Sequence, residues 1–321
     1  MPAPRVLVTG GTGFIGSHVL RRLSSPQDGA APPALRLLTR RRTPPAALPP
    51  GVGTVHGDLA DPASLRGVCD GVDVLLHLAA HIGSDEERCH AVNAEGTASL
   101  LAEAARAGVG RIIQLGTAAV YGNGPHRGEA EGAIAVAPVS PTSVSRHAGE
   151  RRVLEAGGTV LRPHLVYGAG DVWVVPALAD LVRRIPHWVD GGRALVSMVG
   201  ADDLARAVAA LVLRPVPGIA GQVLHAGHPE PVRVRELVSV VAGHLGLPLP
   251  QGEVSAARAA ELLGADGDPL RARRLTLFTV DHWYDSTRLW ELTGCRPGPG
   301  FAEGFGRYAP WYRDALAARR A

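Results

Sequence analysis

The fold is decided by one stretch near the amino terminus, Val6-Leu7-Val8-Thr9-Gly10-Gly11-Thr12-Gly13-Phe14-Ile15-Gly16. An apolar run typical of a buried strand passes into a glycine-rich turn, and a helical pattern begins at once. Gly10 permits the sharp turn, Gly13 lets the backbone approach a pyrophosphate, and Gly16 lets helix and strand pack closely. A helix that starts here also directs its free amides at phosphate. The residues predicted to bind a dinucleotide are Gly10, Thr12, Gly13, Phe14, Ile15 and Gly16.

Strands and helices alternate outward from this stretch, which predicts an α/β, Rossmann-type doubly wound parallel sheet. Ligands of such sheets bind at the carboxyl ends of the strands. The predicted strands are Arg5–Thr9, Leu35–Thr39, Thr54–His56, Val74–His77, Arg111–Leu115 and Thr159–Leu161. The predicted helices are Phe14–Leu23, Pro62–Cys69, Glu86–Ala107 and Pro141–Ala156.

The alternation loosens after Arg162. Residues 173–199 have the character of a segment inserted for substrate binding, and a helix at Asp202–Leu213 and a strand at Gln222–His225 return to the main domain. We therefore predict a dinucleotide-binding domain from residues 1–168 and 199–226, and a smaller, mostly helical substrate domain from residues 169–198 and 227–321.

Composition excludes several classes of function. A net charge of +3, with no basic stripe interleaved with aromatics, argues against nucleic-acid binding. Three separated cysteines give neither a disulfide framework nor a metal site. Apolar stretches are too short for a membrane span, and Met1 runs almost directly into the first strand, so we expect a cytoplasmic protein. All 33 basic residues are arginine, so no lysine elsewhere can replace a missing catalytic one.

The end of the second predicted strand indicates the cofactor. NAD-specific sites place an acid there to bind the ribose 2′-hydroxyl. This strand ends instead in Arg40-Arg41-Arg42, and guanidinium groups bind a 2′-phosphate well. We predict NADPH with Arg40 as the main contact and NADH as the alternative cofactor; a solvated basic loop is the alternative interpretation of the arginines.

Further motifs follow in a fixed order: Gly57-Asp58-Leu59, His77-Leu78-Ala79-Ala80, Asn93-Ala94-Glu95-Gly96-Thr97, Val120-Tyr121-Gly122, Leu161-Arg162-Pro163, Asp202-Asp203-Leu204-Ala205 and Trp311-Tyr312-Arg313. In these motifs the chain resembles the extended short-chain dehydrogenases/reductases over nearly its whole length. The resemblance implies an adenine contact at Asp58 and Leu59 and a loop along the cofactor at Leu78, Ala79 and Ala80. It implies nicotinamide contacts at Pro163 and Leu165.

The same resemblance implies a catalytic hydroxyl at Thr117, four residues before Tyr121. It also implies a Tyr-x-x-x-Lys pair on the next helix, where the sequence reads Pro141-Thr142-Ser143-Val144-Ser145-Arg146. Thr142 stands at the tyrosine position and Arg146 at the lysine position. A threonine is too weak an acid for the usual proton transfer, while an arginine stays charged and could anchor the ribose. The alternatives are a backbone-bonded Thr117 and a solvated Arg146.

Two other side chains could handle a proton. Tyr121 belongs to a motif that the family keeps beside its usual tyrosine, so a structural role comes first. His81 follows the His77-Leu78-Ala79-Ala80 motif, and histidine titrates near neutrality, although a lone histidine is more often structural.

We predict an oxidoreductase that reduces a polycyclic aromatic, angucyclinone-like ketone, with the substrate assisting the proton transfer. Such chemistry is similar to that of the tailoring reductases of aromatic polyketide pathways. The predicted substrate contacts, several of which are equally typical of core positions, are Ala118, Tyr121, Trp173, Trp188, Met198, Phe278 and Trp283.

Two other functions remain open. A nucleotide-sugar epimerase or dehydratase is common among extended members, but its transient oxidation needs the base that is missing. A non-catalytic NADP(H)-binding regulator would also lack both catalytic residues. A homodimer is expected by family analogy only.

Overall fold

The computed structural model describes residues 3–25, 32–40, 48–265 and 267–318. The β-strands are β1 (Arg5–Thr9), β2 (Ala34–Thr39), β3 (Gly53–His56), β4 (Val74–His77), β5 (Arg111–Leu115), β6 (His126–Glu129), β7 (Thr159–Arg162), β8 (Leu165–Tyr167), β9 (Trp188–Val189), β10 (Leu195–Val196), β11 (Met198–Gly200), β12 (Val223–His225), β13 (Val232–Arg233), β14 (Glu253–Val254) and β15 (His282–Tyr284).

The α-helices are α1 (Phe14–Ser24), α2 (Glu86–His90), α3 (Gly96–Arg106), α4 (Pro141–Glu155), α5 (Val174–Arg184), α6 (Ala201–Leu213), α7 (Val234–Leu245), α8 (Ala256–Leu263), α9 (Pro269–Thr279), α10 (Thr287–Thr293) and α11 (Phe301–Ala318). A π-helical turn, Ala91–Glu95, joins α2 to α3, so the predicted helix at residues 86–107 is continuous but contains one wider, underwound turn.

The main sheet is parallel and has seven strands in the order β12-β7-β5-β4-β1-β2-β3. This confirms the predicted doubly wound fold. The strand order reverses at β1 and β4, since β2 and β3 follow on one side of β1 and β5 follows on the other side of β4. A crevice opens at the carboxyl ends of these two strands. The glycine-rich turn after β1 and the loop after β4 therefore meet at the same edge.

Apolar layers cover both faces of this sheet. On one face α1 and α6 pack over β1 and β2, with Leu20, Leu23 and Leu211 fully buried. On the other face α3 packs through Leu100 against Leu75 of β4. Strands buried on both sides explain the continuous apolar runs in the sequence.

One predicted element is wrong. Residues 62–69 form only a single 3₁₀ turn, Pro62–Leu65, capped by the Asp61 carboxylate, which accepts a hydrogen bond from the Ala63 amide at 3.2 Å. Gly67 then adopts a φ of +81°, which ends any helix because this left-handed conformation is incompatible with helical geometry.

A second unit lies beside the main sheet. Its four-stranded sheet has the order β13-β10-β15-β6. Helices α5, α7 and α11 enclose a separate core around Leu237 and Phe305. Leu289 and Trp290 of α10 pack into the main core instead, although the sequence-based division places residues 227–321 in the substrate domain.

Within the described ranges, no helix is both long enough and apolar enough to cross a membrane. The same residues contain no cluster of three or more side chains able to hold a metal ion.

Candidate active site

Two positions at the turn after β1 have no room for a side chain. Gly10 has a φ of +71°, and a Cβ there would lie 2.5 Å from the Ala79 amide nitrogen. A Cβ on Gly16 would clash with the Gly10 carbonyl oxygen. The loop after β4 and the start of α1 thus press against the turn, as a dinucleotide crevice requires.

The amino-terminal end of α1 has the features of an anion-binding site. Its N-cap, Gly13, has no capping side chain, and the first turn holds no acid. The Gly13 amide donates to the Gly10 carbonyl at 3.0 Å, and the Ser17 amide donates to Gly13 at 2.8 Å. The Phe14 and Ile15 amides have no partner among the described residues, so they fit a pyrophosphate oxygen.

The residues predicted to lie at the adenine end of the cofactor are only partly within the described ranges. Arg40 is exposed at the end of β2, while Arg41 and Arg42 lie outside the described residues. Asp58 is held in a turn, its carboxylate accepting from the Ala60 amide at 3.0 Å. Leu59 is buried, and a Cβ on Gly96 would lie 2.5 Å from its carbonyl oxygen. Thr12 is exposed at the turn.

A buried polar relay fixes the loop after β4. The Thr9 hydroxyl lies 2.7 Å from His77 Nδ1, and the Thr97 hydroxyl lies 3.0 Å from His77 Nε2. Because Thr97 donates to the Asn93 carbonyl at 2.7 Å, Nε2 must be the protonated nitrogen. Burial, reinforced by the charge of Arg146, lowers the pKa of His77 to about 4, so the imidazole stays neutral. The Thr9 hydroxyl also accepts from the Ala79 amide at 3.2 Å, which places Leu78, Ala79 and Ala80 along the crevice.

Asn93, in the π-helical turn, binds the next part of that loop. Its side chain accepts from the His81 amide at 2.7 Å and donates to the His81 carbonyl at 2.9 Å. It also donates to the Ser145 hydroxyl of α4 at 3.0 Å. The His81 imidazole is left partly exposed, with no hydrogen bond to a described residue. π-Helical turns are frequent at functional sites, and this one connects the loop after β4 to α4.

The Thr142 hydroxyl makes two hydrogen bonds with the backbone of Gly83. It donates to the Gly83 carbonyl at 2.9 Å and accepts from the Gly83 amide at 3.0 Å. The Cys89 sulfur lies 3.8 Å from it. The side chain at the family's tyrosine position therefore holds the loop after β4 to α4 and has no proton to offer.

Arg146 is bound to the end of β5. One of its terminal nitrogens donates to the Leu115 carbonyl at 2.8 Å and to the Gly116 carbonyl at 2.7 Å. Burial lowers its pKa, opposed by the charge of Glu150. The group remains an arginine cation, able to fix the strand end and to present its other N–H groups, but unable to relay protons.

Thr117 is positioned next to these carbonyls. Its hydroxyl accepts from the Ala119 amide at 3.2 Å, as the cap of the 3₁₀ turn Ala118–Tyr121. Its own amide donates to the Glu150 carboxylate at 3.1 Å. The hydroxyl proton has no acceptor among the described residues, so the Thr117 hydroxyl is free to donate to a carbonyl oxygen.

Tyr121 lies in a buried ion-pair network. Arg162 donates to the Glu150 carboxylate at 2.9 Å and to the Tyr121 oxygen at 3.0 Å. The Tyr121 hydroxyl lies 2.7 Å from His225 Nε2, and His225 donates through Nδ1 to the Asp285 carbonyl at 3.0 Å. Burial raises the pKa of Tyr121, which opposes loss of its proton.

The predicted substrate contacts are dispersed. Ala118 and Tyr121 lie beside Thr117, and the Ala118 amide donates to the Pro163 carbonyl at 2.9 Å. Met198, Phe278 and the predicted cofactor contact Leu165 are buried in the second core. The other three lie elsewhere: Trp173 is 53% exposed, Trp188 lies under the Arg235 guanidinium at 4.2 Å from the ring centre, and Trp283 packs on Gly128.

The structure adds residues that the sequence analysis did not select. His164, directly after Pro163, stacks on His282 with ring centres 5.4 Å apart and planes 13° apart. His282 pairs with His126 of the neighbouring strand, their ring centres 5.8 Å apart. Tyr284 contacts the outer two rings, at 5.6 Å from His164 and 5.5 Å from His126. These residues come from three distant segments, so no local spacing could reveal them.

Comparison with known proteins identifies the family of this chain. The family model described as "NAD dependent epimerase/dehydratase family" matches residues 6–227. The chain is 29% identical to the 2-alkyl-3-oxoalkanoate reductase of Stenotrophomonas maltophilia (strain K279a), covering 94% of this chain and 98% of that protein. It is also 29% identical to the 4-hydroxy-2-methyl-3-oxo-4-farnesyl-3,4-dihydroquinoline-1-oxide ketoreductase of Stigmatella aurantiaca, covering 81% and 79% of the two chains.

Among solved structures, DesIV, a dTDP-glucose 4,6-dehydratase from Streptomyces venezuelae with NAD bound, has a TM-score of 0.74 and 26% identity over 98% of each chain. In this chain the glycine turn, the uncapped start of α1 and the loops after β4 and β5 meet at the carboxyl ends of the central strands. The chain is therefore an NAD(P)-binding oxidoreductase-type protein that belongs to the NAD dependent epimerase/dehydratase family, the extended short-chain dehydrogenases/reductases.

Proposed function

We propose that the protein is an NADPH-dependent ketoreductase that acts on a polycyclic aromatic ketone without an enzymic Tyr/Lys acid. The observation that carries this proposal is the contrast between two hydroxyls. The Thr142 hydroxyl donates its hydrogen bond to the Gly83 carbonyl at 2.9 Å. The Thr117 hydroxyl, at the carboxyl end of β5, accepts from the Ala119 amide and has no acceptor for its own proton among the described residues. Of these two hydroxyls, Thr117 alone can donate a hydrogen bond to a carbonyl oxygen, and the tyrosine that usually completes the proton transfer is replaced by Thr142.

NADPH, when bound, supplies the hydride. The turn at Gly10–Gly16 and the Phe14 and Ile15 amides would hold its pyrophosphate, and Arg40 would bind the 2′-phosphate. Arg146 holds the Leu115 and Gly116 carbonyls, and so keeps Thr117 aligned with the crevice.

Thr117 would donate a hydrogen bond to the substrate oxygen as the carbonyl π pair moves onto it. The new C–H bond uses the incoming hydride, and the alkoxide then needs one proton. A phenol beside the ketone can supply that proton and leave a phenolate, which solvent reprotonates. Positioning alone contributes several kcal/mol to such a reaction, on the order of the effect of a missing general acid.

Two relatives support reduction of an oxo group, since both are named reductases of 3-oxo compounds and one substrate is a fused bicyclic ring system. The sequence further resembles the angucyclinone ketoreductase of simocyclinone biosynthesis, so an angucyclinone-type ketone is the substrate class that we propose.

The test is NADPH oxidation by the purified protein with paired aromatic ketones. One member of each pair carries a phenol beside the carbonyl, the other carries its methyl ether, and dTDP-glucose serves as a nucleotide-sugar control. We expect turnover of the phenolic ketones only. Thr117→Val should lower kcat by about a hundredfold, the effect of removing one donor to a developing oxyanion.

The matched control is Thr54→Val on the exposed edge of β3, which should leave turnover unchanged. The double variant Thr142→Tyr/Arg146→Lys should not accelerate reduction of the phenolic ketone, because the substrate already provides the acid. Tight NADPH binding without reduction of any ketone would refute the proposal in favour of a cofactor-binding regulator. Turnover of dTDP-glucose would refute it in favour of a nucleotide-sugar enzyme.

A further inference from the structure

Helix α4 presents two opposite charges, one turn apart, to the peptide group that precedes Thr117. A terminal nitrogen of Arg146 donates to the Gly116 carbonyl at 2.7 Å, and Glu150 Oε1 accepts from the Thr117 amide at 3.1 Å. The Gly116 carbonyl and the Thr117 amide belong to the same peptide group. A cation therefore binds the oxygen end of this group while an anion binds its nitrogen end, and together they fix the direction of the peptide plane.

The Glu150 carboxylate is itself held in place. Its side chain is 0% exposed, and Arg162 binds its other oxygen, Oε2, through Nε at 2.9 Å and through a terminal nitrogen at 2.8 Å. Arg162 thus leaves Oε1 directed at Thr117. A Cβ on Gly116 would clash with Oε1, so the carboxylate reaches the Thr117 amide only because position 116 is glycine.

The hydrogen bonds of the sheet do not orient this peptide group. The Gly116 amide donates to the Leu161 carbonyl at 2.7 Å, and the Ala118 amide donates to the Pro163 carbonyl at 2.9 Å. The Thr117 amide lies between them and donates to no backbone carbonyl of the described residues. A side chain of α4 therefore supplies the acceptor that the neighbouring strand does not.

The direction of this peptide group decides where the Thr117 hydroxyl points. Threonine is branched at Cβ and its χ1 is stiff, so the hydroxyl follows any rotation of the backbone. The hydroxyl accepts from the Ala119 amide at 3.2 Å, which leaves its own proton free for a ligand. A displacement of about 1 Å at a reacting group can lower a rate by about a hundredfold. Donation to a substrate oxygen thus depends on how the Thr117 amide is held.

We propose that Glu150 is a positioning residue for the reduction: its carboxylate binds the Thr117 amide and so directs the Thr117 hydroxyl at the substrate carbonyl. The part that Thr117 plays rests on the proposed function. Glu150 acts through Thr117, because its Oε1 is bound to that amide and its Oε2 to Arg162. The buried pair of Glu150 and Arg162 therefore serves turnover as well as stability.

The test compares two double variants that remove both buried charges, so that neither leaves an uncompensated ion. Glu150→Gln/Arg162→Met keeps a side-chain oxygen for the Thr117 amide, whereas Glu150→Met/Arg162→Met removes it. Exchange of the Thr117 amide hydrogen, followed by NMR of the NADPH-loaded protein, reports on that hydrogen bond without any turnover. We expect exchange to be about tenfold faster in the second variant, the effect of losing one hydrogen bond.

Steady-state kinetics of the same variants separates positioning from stability. With a phenolic ketone, kcat of Glu150→Met/Arg162→Met should be about tenfold or more below that of Glu150→Gln/Arg162→Met, while the KM for NADPH should be equal in the two. Urea unfolding measures the stability of both variants. A kcat that follows the unfolding free energy, and not the presence of the acceptor, would overturn the proposal.

Gly116→Ala tests the same contact with Glu150 and Arg162 both present, because its Cβ would displace Oε1 from the Thr117 amide. This variant should exchange the amide faster and reduce the ketone more slowly than the wild type. Gly110→Ala, directly before β5, is the matched control, because the nearest atom to its Cβ would lie 3.8 Å away.

The two measurements distinguish failure of this proposal from failure of the proposed function. Equal exchange rates in the two double variants of a protein that reduces phenolic ketones would overturn the positioning role of Glu150 alone. Unequal exchange rates in a protein that reduces no ketone would retain the hydrogen bond between Glu150 and Thr117 and refute the ketoreductase.

Discussion

The buried pair of Glu150 and Arg162 gives a prediction whose size can be worked from the structure. The two side chains are 0% and 6% exposed, their closest atoms are 2.8 Å apart, and Glu150 also accepts the Thr117 amide. Glu150→Gln keeps the volume and one acceptor but leaves Arg162 charged and uncompensated. Breaking a buried pair in this way costs about 3–5 kcal/mol of unfolding free energy.

Urea unfolding followed by tryptophan fluorescence measures that loss. Glu261→Gln is the control, because it breaks the exposed Arg258–Glu261 pair, and exposed pairs contribute about 1 kcal/mol or less. Glu150→Gln combined with Arg162→Met should recover much of the stability, since no buried charge then remains. If Glu150→Gln lost no more unfolding free energy than Glu261→Gln, Glu150 and Arg162 would not form the buried ion pair that their geometry indicates.

Three further predictions follow from the cofactor crevice and its relay. Arg40→Glu should raise the KM for NADPH by about tenfold or more and lower that for NADH, because a carboxylate repels a 2′-phosphate and binds a 2′-hydroxyl; unchanged cofactor preference in steady-state kinetics would contradict the role of Arg40. Gly16→Ala should abolish NADPH binding, measured by nucleotide fluorescence, because its Cβ clashes with the Gly10 carbonyl oxygen, whereas Gly243→Ala in open space should bind normally. His77 has a folded-state pKa of about 4 against 6.5 when unfolded, so the unfolded chain takes up the proton first and stability falls as the pH drops from about 6.5 to 4. The loss reaches about 3 kcal/mol at the acid end, and His77→Gln should unfold with a shallower pH dependence in urea titrations.

The fold could be predicted because its information is local. Val6–Gly16 contains a strand, a turn and the start of a helix, and backbone contacts at Gly10 and Gly16 leave no room for a Cβ. The buried parallel strands also leave apolar runs that are easily recognised. The wrong element, the helix at residues 62–69, fails for a local reason also, the left-handed conformation at Gly67. Sequence pattern alone does not report which of several glycines will turn the chain.

The candidate site could be predicted only where one motif supplies it. Thr117, Thr142 and Arg146 were identified through the resemblance to the extended short-chain dehydrogenases/reductases. Their hydrogen bonds could not be predicted, because Gly83, Leu115 and Gly116 bind through backbone atoms that every residue type has. The histidine stack depends on the parallel register of β6 and β15, which places His126 opposite His282 although 156 positions separate them in the sequence.

These backbone contacts explain why restoring the family's tyrosine alone would not restore its chemistry. A tyrosine at position 142 would first have to give up the two hydrogen bonds that Thr142 makes with Gly83, and so would loosen the loop after β4. It would then face Arg146, whose guanidinium is held by the Leu115 and Gly116 carbonyls rather than directed at a phenol. An ordinary tyrosine has a pKa of about 10, and without a cation free to approach it the phenol gains no acidity. The acid must therefore come from elsewhere, and under the proposed function a phenol beside the ketone carbonyl supplies it.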